Sequence, residues 1–542
     1  MTDRRQAVFT VDHGTASTAA ALVATVGGRS RLLGAAAQPA GAPVEPLLAG
    51  LADDVVTHVP ELAGRLADWQ ALARIESATR RPPAMLIVAP TENAATSLAW
   101  AARTSGWRVT GSHAAEASTV VAITEGLLDP DLETVMIGAA DPPSVVERGP
   151  LADLLNMVVA ALGRRRDWPE VVLAGGAVEA ADRLEGADLI FAPQAAYRAD
   201  VTRDPLRALL ERLAAVHTDA RDATALPDGR RALATATASL AGLLDRRVEL
   251  VDVGASASTR VLADPQGIVG HVVRVDAALA PPEAIGDDAV ADRVLAWSTI
   301  RADPASLRDR VRNLVVAPWR DAAGDGARLR LAAARAALSR LDDGWRLPER
   351  PDGAPPDYSA DLLVVSGGAF AVAPAPAISL ALVDTLRRPG AMALAFDHAR
   401  VLAPIGALAD EADRRQLLVD LLEDALTPLG SAIVATGVHA GRHRGSLKLT
   451  TTDGASDQVE LVPGSVQLLD LPPGLVAAAE LTTRDGAWLG VRSHHLAVEV
   501  AGGLGGLLVD TREIPLRLPD RPERRRDLLD AWQRPLWSGG DG

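Results

Sequence analysis

The sequence predicts an α/β protein in which two lobes of similar construction are separated by an inserted parallel sheet and followed by a β-rich tail. A short phrase occurs twice: Val11–Thr18 has the sequence Val-Asp-His-Gly-Thr-Ala-Ser-Thr, and Val251–Thr259 has Val-Asp-Val-Gly-Ala-Ser-Ala-Ser-Thr. Between them, Ala84–Gln194 alternates strand-like and helix-like segments, as in a parallel sheet covered on both faces. From Ala432 onward, short alternating apolar runs predict further strands. Because 542 residues are too many for a single core, we expect several domains.

Both copies of the phrase belong to predicted β-meanders. The first meander has strands at Ala7–Val11, Ala19–Val26 and Leu32–Ala36. The second begins with Glu249–Val253, continues after the repeated phrase, and includes a strand at Ile268–Val275. Each Asp-x-Gly loop is therefore predicted to lie at one end of a hairpin.

The inserted region and the rest of the chain supply the remaining elements. In the insertion we predict strands at Met85–Val88, Trp107–Thr110, Thr134–Ile137, Val171–Ala174 and Leu189–Phe191, and helices at Ala94–Thr104, Ala115–Gly126 and Leu151–Leu162. Further helices are predicted at Asp204–Leu213, Arg230–Leu244, Asp287–Ser298, Pro304–Leu314, Ala327–Leu341, Ala377–Leu386, Arg414–Leu426 and Pro522–Trp532. Further strands are predicted at Leu362–Val365, Ser446–Thr451, Val459–Val462 and Leu496–Val500.

These patterns divide the chain into five segments. Residues 1–80 form the first part of the N-terminal lobe, 81–200 an inserted doubly wound α/β domain, 201–247 a helical return to the first lobe, 248–430 the second lobe, and 431–542 a β-rich C-terminal domain with a terminal helix.

Charge and composition exclude several functional classes. With 55 Lys+Arg against 70 Asp+Glu, the chain has a formal net charge of −15 and no long basic stripe, so nucleic acid is not an expected partner. The absence of cysteine excludes disulfides, thiolate metal sites and a cysteine nucleophile. The apolar runs are far shorter than the roughly 18 to 20 residues that span a bilayer, and the N-terminus has no signal-peptide core. We therefore expect a cytoplasmic protein without a membrane span.

The repeated phrase has the residue types of a phosphate site. A strand that ends in Asp-x-Gly and hydroxyl residues suits a tight turn whose backbone N–H groups face a phosphate, while the carboxylate positions a metal ion or its waters. The candidate residues are Asp12, Gly14, Thr15, Ser17 and Thr18 in the first copy and Asp252, Gly254, Ser256, Ser258 and Thr259 in the second, with Asp12 and Asp252 as metal-side carboxylates. A single Asp-x-Gly is equally typical of an ordinary β-turn. The repetition favours two loops that close on one nucleotide.

A third candidate element is Ser366-Gly367-Gly368, which follows the apolar run Leu362–Val365. These glycines are compatible with a simple strand-to-helix turn. After two Asp-x-Gly loops, they also suit a place where backbone must approach a nucleoside closely. The chain has no Gly-x-Ser-x-Gly elbow at a strand–helix junction and no Gly-x-x-x-x-Gly-Lys phosphate loop.

The ordered set of two Asp-x-Gly loops and a later Ser-Gly-Gly resembles the phosphate and adenosine motifs of the actin, sugar-kinase and heat-shock-chaperone ATPase superfamily. Within it, the chain most resembles the glutamate mutase L family. The segments that carry this narrower resemblance are Val135–Gly138, Val171–Gly176, Asp204–Arg207, Thr224–Pro227 and Gly505–Leu516. The resemblance implies duplicated actin-like (ribonuclease H-like) ATPase lobes, ATP and Mg²⁺ as cofactors, and a role in the maturation or reactivation of a cobalamin-dependent mutase.

The second loop departs from the family pattern. Ala255 replaces the usual second glycine, and Arg260 stands where the family has an acid. An arginine that faces the phosphates would still neutralise their charge. Loss of a carboxylate nevertheless removes one way to place Mg²⁺ and the attacking water, so we expect at most a weak ATPase. No catalytic residue is assigned. The alternatives are a degenerate scaffold that binds no nucleotide and acts by protein contact, and a small-molecule kinase.

Overall fold

The structure is a computed structural model that describes residues 7–184, 186–194, 205–220, 226–320, 322–343, 345, 357–386, 388–438, 445–488 and 492–537. The helices are α1 (Val44–His58), α2 (Ala63–Leu66), α3 (Glu92–Arg103), α4 (Val120–Leu127), α5 (Val145–Leu162), α6 (Pro205–Ala220), α7 (Gly229–Leu244), α8 (Asp288–Leu295), α9 (Pro304–Val316), α10 (Asp325–Asp343), α11 (Ala375–Thr385), α12 (Leu402–Gly406), α13 (Glu411–Ala425) and α14 (Pro522–Trp537). Short 3₁₀ helices cover Pro60–Leu62, Trp69–Ala71, Gly176–Leu184 and Pro282–Ile285.

The strands fall into four sheets. They are β1 (Ala7–His13), β2 (Ser17–Val26), β3 (Arg29–Pro39), β4 (Ala73–Ala78), β5 (Ala84–Ala89), β6 (Arg108–Ala114), β7 (Thr134–Ala139), β8 (Glu170–Gly175), β9 (Leu189–Ala192), β10 (Val248–Val253), β11 (Ser258–Asp264), β12 (Gly267–Arg274), β13 (Leu362–Ser366), β14 (Gly390–Asp397), β15 (Leu426–Val434), β16 (Ser446–Thr451), β17 (Ser456–Glu460), β18 (Val466–Leu469), β19 (Val476–Trp488), β20 (Arg492–Ala501) and β21 (Leu507–Asp510).

The two lobes repeat one strand arrangement. In the first lobe the order is β3-β2-β1-β4, with β1 antiparallel to β2 and parallel to β4. In the second lobe β12-β11-β10-β13 repeats this order and these directions, and β14 continues it in parallel. The register also repeats, because Asp12 lies opposite Ser77 on β4 and Asp252 lies opposite Ser366 on β13. The predicted duplication of the lobes is confirmed.

The insertion is a parallel sheet of its own. Its strand order is β6-β5-β7-β8-β9 with every pair parallel. Helices α3 and α6 cover one face, whose core includes Trp107 and Leu210, and α4 and α5 cover the other, whose core includes Ile123 and Leu155. The chain leaves the first lobe after β4 and returns beside it, since Ala78 forms a bridge with Asp228. The predicted doubly wound insertion is confirmed.

Capping residues explain two differences from the predicted helices of the insertion. The helix predicted from Ala115 begins at Val120, because β6 runs on to Ala114 and Thr119 caps the helix by accepting a hydrogen bond from the Ala122 N–H at 3.2 Å. The helix predicted from Leu151 begins at Val145, after a capping box between Ser144 and Glu147. Pro150 lies in its second turn and does not end the helix. Asp204, Thr224 and Ala225 lie outside the described residues.

The C-terminal part contributes to two sheets. Strands β15, β21 and β18 extend the second-lobe sheet to eight strands. Strands β17-β16-β19-β20 form a separate antiparallel sheet, which packs on β15 and β21 through a core that includes Leu447, Leu481 and Val509. Helix α14 packs against α11 of the second lobe. Among the helices that the structure describes, none is long and apolar enough to cross a membrane.

The lobes share an apolar core where α7 and α12 pack together. This core joins Val8 and Ala21 of the first lobe with Leu250 of the second, and it includes Leu233 on α7 and Ile405 on α12. Both helices therefore lie between the sheets and link the lobes directly.

Candidate functional site

The two Asp-x-Gly loops have the same backbone geometry. The Gly14 N–H donates to the Ser17 carbonyl oxygen at 3.0 Å, and the Gly254 N–H donates to the Ala257 carbonyl oxygen at 3.2 Å. A Cβ atom added at either glycine would lie 2.7 Å from that same carbonyl oxygen. Each loop therefore requires glycine at the position that the sequence pattern singles out.

The loops face each other across a cavity between the lobes. The Thr15 hydroxyl donates to the Ser256 hydroxyl at 3.2 Å, so the two loop tips are in contact. The cavity has a volume of about 430 Å³. Its lining includes Asp12, Gly14, Thr15, Ser17, Asp252, Gly254, Gly367 and Gly368 from the predicted site, together with Trp319, Phe396 and Arg400.

The turn after β13 brings the third predicted element to the same place. Gly367 has a φ of +98°, which side chains rarely adopt. A Cβ atom there would also lie 2.8 Å from Asp252 Oδ1 and 2.8 Å from the Val253 carbonyl oxygen. Glycine is thus needed both for the backbone conformation and for the close approach to the second loop.

Five predicted residues lie outside the described lining of the cavity: Thr18, Ser256, Ser258, Thr259 and Ser366. Ser258 donates to the Ala277 carbonyl oxygen at 2.5 Å, and Thr259 is fully buried in β11. Ser366 donates to Asp397 at 3.2 Å. Ser258, Thr259 and Ser366 are therefore buried within the second-lobe sheet, whereas Ser256 lies at the tip of the second loop.

Arg400 reaches from the second lobe to the first loop. Its Nη2 lies 2.9 Å from Asp12 Oδ2 and donates to the Asp12 carbonyl oxygen at 3.0 Å. It also donates to the Ser17 hydroxyl at 2.7 Å through Nη1 and to the Ser17 carbonyl oxygen at 2.9 Å through Nη2. The other carboxylate oxygen, Asp12 Oδ1, accepts from the Ser77 hydroxyl at 3.2 Å. Both carboxylate oxygens of Asp12 therefore have protein partners.

The backbone of Arg400 is strained. Its φ is +54°, a left-handed conformation that costs a non-glycine residue about 1–2 kcal/mol. Such strain persists where surrounding contacts over-determine it, and it is typical of ligand sites. The contacts with Asp12 and Ser17 hold Arg400 in this backbone conformation.

A second arginine contacts the second loop. Arg230, at the start of α7, is buried and donates through Nη2 to the Ser256 hydroxyl of the second loop at 3.2 Å. Its Nη1 donates to the Arg80 carbonyl oxygen at 3.2 Å. Burial lowers the pKa of Arg230, and the charges of Asp228 and Asp252 oppose this effect. Each loop is thus held by an arginine beside one of the two interlobe helices, α7 and α12. Arg400 precedes α12 and holds the first loop, and Arg230 lies in the first turn of α7 and holds the second.

Two aspartates have raised pKa values: Asp252, which lines the cavity, and Asp397, which is buried behind it. Burial raises the pKa of Asp252 to about 6, and the nearby charge of Asp12 adds to the shift. Burial raises the pKa of Asp397 to about 7, although it accepts hydrogen bonds from the backbone N–H groups of Val401 and Leu402. Both carboxyl groups therefore hold protons at a higher pH than an ordinary aspartate does.

The two departures in the second loop have structural explanations. Arg260 does not face the cleft: it pairs with Glu249 at 2.5 Å and Asp342 at 2.6 Å and stacks on Trp345. The hypothesis that Arg260 could face the phosphates is wrong, because it lies opposite Val251 and side chains alternate between faces along a strand. Ala255 is not among the described non-glycine residues with positive φ, so its backbone does not require glycine.

Sequence reasoning missed Arg400, Asp397 and Trp319. A signal for Asp397 was present, because Phe396-Asp397-His398 repeats the apolar-Asp-His order of Val11-Asp12-His13. Trp319 lies between α9 and α10, is 44% exposed and lines the cavity. No motif marks it in the sequence.

The first loop does not fit a directly bound divalent cation. Such a cation needs carboxylate and carbonyl oxygens, but those of Asp12 are bound by Arg400 and Ser77. Among the described residues there is no group of three or more His, Asp or Glu side chains that could hold a metal ion.

Comparisons with known proteins are distant. No family profile and no curated protein matches the chain. The chain is similar to an Aquifex aeolicus Ppx/GppA phosphatase, with 9% identity over 76% of this chain and 92% of that chain and a TM-score of 0.21. It is also similar to a chain of the PilM-PilN type IV pilus biogenesis complex, with 14% identity, 76% and 99% coverage and a TM-score of 0.23. Component A of the Acidaminococcus fermentans (R)-2-hydroxyglutaryl-CoA dehydratase shares 7% identity, with 75% and 98% coverage and a TM-score of 0.25.

At these identities and TM-scores the similarities do not identify a family. The fold is defined by the duplicated strand order, the shared register of the two loops and the turn at Gly367. These features are the actin-like architecture that the sequence predicts.

Proposed function

We propose that the protein binds ATP in the cavity between its lobes. The observation that carries this proposal is the convergence of three turns on one cavity: two Asp-x-Gly loops of equal geometry and the turn at Gly367. Backbone N–H groups in such turns form concave anion sites. A volume of about 430 Å³ lies within the range of small-ligand sites, about 300 to 1,000 Å³.

The charges and aromatic groups of the cavity support a nucleotide. Arg400 and Arg230 place positive charge beside the two loops, although the whole chain has a net charge of −15. Trp319 offers an exposed indole face to a base, because every base has a π-face that stacks on aromatic side chains. Phosphates would lie at the loops, and the base would lie toward Trp319.

We expect weak hydrolysis or none. A general base must be able to accept the proton of the attacking water. Asp12 is already bound by Arg400 and Ser77, and Asp397 accepts hydrogen bonds from two backbone N–H groups and Ser366. The first loop is therefore better suited to holding a nucleotide than to activating a water molecule.

The proposed role is the maturation or reactivation of a protein partner. The resemblance to the glutamate mutase L family indicates a cobalamin-dependent mutase as this partner. ATP would act by binding one arrangement of the lobes more tightly than another, which shifts the population that the partner meets. Helices α7 and α12 begin beside the cleft arginines and lie between the lobes, so they connect the cavity to the lobe interface.

Two measurements test this function. Isothermal titration of the full chain with ATP should give saturable binding that Asp12→Ala weakens, because the first loop loses the partner of Arg400. A pull-down from native lysate should recover a cobalamin-dependent mutase subunit in an ATP-dependent amount. Absence of ATP binding would remove the nucleotide proposal, whereas ATP binding with no mutase recovered would remove only the partner.

One observation favours the second candidate, a scaffold that binds no nucleotide. The lobes are already joined through the Arg400–Asp12 ion pair and the Thr15–Ser256 hydrogen bond. For a scaffold, the Asp12→Ala variant should bind its partner as the wild type does, and added ATP should change neither partner binding nor thermal stability.

A further inference from the structure

Arg400 binds the oxygen atoms that a divalent cation would use at the first loop. Its guanidinium contacts the carboxylate and carbonyl oxygens of Asp12 and the hydroxyl and carbonyl oxygens of Ser17, all between 2.7 and 3.0 Å. Hard oxygen donors of these types are the ligands that Mg²⁺ prefers in proteins. An arginine thus pairs with the carboxylate of Asp12, which the sequence pattern assigns to a metal ion.

The pair is largely removed from water. The side chains of Arg400 and Asp12 are 12% and 13% exposed. Charge-assisted and multidentate contacts of this kind are stronger than neutral ones. A metal ion that entered the loop would have to displace the guanidinium and leave a charged group without its partner, which is costly in a buried site.

One donor of Arg400 makes no hydrogen bond within the part of the chain that the structure describes, and the residue borders the cavity. This donor is the buried Nε. The residue lines the cavity, and the planar guanidinium suits phosphate oxygens. Arg230 adds a second positive charge beside the second loop.

We propose that Arg400 takes the place of the divalent cation in this cleft, so that a nucleoside triphosphate binds with its phosphates on arginine and backbone N–H groups and without a metal ion. This inference rests on the proposed ATP site and concerns which cation completes it. Positive charge that an ATPase normally obtains from Mg²⁺ is here part of the chain.

The test compares ATP binding to the full chain in Mg²⁺ and in EDTA by isothermal titration. The wild type should bind with the same affinity in both buffers. Arg400→Gln should lose roughly tenfold or more in EDTA, since a charge-assisted phosphate contact is lost. Mg²⁺ should restore part of this loss in the variant, because the oxygens of Asp12 and Ser17 become available to a metal ion.

Matched variants separate charge from folding. Arg400→Lys keeps the positive charge but loses the planar fork, so it should retain intermediate affinity in EDTA. Arg415→Gln removes an exposed arginine of α13 outside the described lining of the cavity and should behave as the wild type. Thermal unfolding of each variant reports whether the fold persists. The comparison of wild-type affinity in Mg²⁺ and in EDTA does not depend on any variant folding.

A second readout uses Mn²⁺ and electron paramagnetic resonance without nucleotide. Arg400→Gln should bind Mn²⁺ more tightly than the wild type, and the double variant Asp12→Asn/Arg400→Gln should lose this gain.

Several results would overturn the inference. If the wild-type affinity for ATP falls roughly tenfold or more on chelation, which corresponds to about 1.4 kcal/mol, the metal is required and the inference alone is wrong. Cation-independent binding that persists in Arg400→Gln would remove the assignment to this residue. If the wild type binds no ATP in either buffer, the proposed function is wrong and the inference is lost with it.

Discussion

At the scale of single residues, Asp252 in the cavity wall and the buried Asp397 hold protons at pH values where most carboxylates are ionised. Asp397 sits at the end of β14, where burial outweighs its hydrogen bonds and raises its pKa from 3.8 to about 7. Burial likewise raises the pKa of Asp252, to about 6. A proton on either carboxyl reduces the negative charge beside Asp12.

This leads to a pH-dependent stability. Between pH values near 3.8 and 7, the folded chain binds a proton at Asp397 that the unfolded chain releases. The free energy of unfolding should therefore be highest below about pH 4 for this group and fall as pH rises to about 7, by up to about 1.4 kcal/mol for each pH unit. Denaturant unfolding across this range measures the slope.

The Asp397→Asn variant should show a shallower slope over the same pH range, because the titrating group is gone. Asp153→Asn changes an exposed aspartate on α5 and serves as the matched control. Equal slopes in the wild type and Asp397→Asn would contradict the raised pKa.

Trp319 is the residue on which base recognition is expected to depend. Base–aromatic stacking is worth about 1–3 kcal/mol by alanine substitution, so Trp319→Ala should weaken ATP binding by roughly fivefold to more than a hundredfold. Trp319→Phe keeps an aromatic face and should recover part of the affinity. Titrations that give the same affinity for the wild type and Trp319→Ala would place the base elsewhere.

At the scale of elements, the contact between α7 and α12 tolerates no side chain at Gly406. A Cβ atom there would lie 1.9 Å from the Ala232 carbonyl oxygen and 2.7 Å from its carbonyl carbon. Backbone atoms cannot rotate aside as a side chain does. The two interlobe helices can approach this closely only because residue 406 is glycine.

Gly406→Ala should therefore destabilise the protein by about 1–3 kcal/mol or more, as overpacking does. Gly50→Ala is a matched control: Gly50 lies on the exposed face of α1 with nothing near its missing Cβ, and the change should stabilise the helix by about 0.5–1 kcal/mol. The midpoint of chemical unfolding measures both. A Gly406→Ala midpoint at or above that of Gly50→Ala would show that the helices can separate without cost.

Elements with strong local patterns were predictable from the sequence. The buried strands of the insertion are continuous apolar runs, and Met85–Val88 and Val171–Ala174 match β5 and β8 to within one residue at each end. Strand β14 was missed because Gly390–Asp397 is rich in alanine, which has low strand propensity. Because this strand was not predicted, Asp397 at its end and Arg400 three residues later were not recognised as site residues.

The parts of the site that depend on backbone conformation were predictable from the sequence. The parts that depend on side-chain contacts between the lobes were not. The two loops and Gly367 carry glycine patterns that follow from close approach and positive φ. Arg400 has no such pattern, because its role depends on how the second lobe is placed against the first. The orientation of Arg260 could have been predicted from strand alternation, once the strand register was known.

At the scale of the whole molecule, a nucleotide that bridges both loops should protect both at once. In hydrogen exchange, ATP should slow exchange in peptides covering 14–17 and 254–257 to a similar degree, because one ligand orders both. Peptides from the parallel sheet of the insertion, β5 to β9, should not change and act as the internal control. Protection of one loop alone would indicate binding to a single lobe, and no protection would support the scaffold.

Arg400 also fixes when the first loop can be completed as the chain is made. The loop near Ser17 is synthesised early, but its arginine partner lies 383 residues further along. At about 5–20 residues per second, roughly 20 to 80 s of translation separate the two. Until then the carboxylate of Asp12 lacks its counter-charge, so a growing or truncated chain cannot assemble the nucleotide site before the second lobe has emerged.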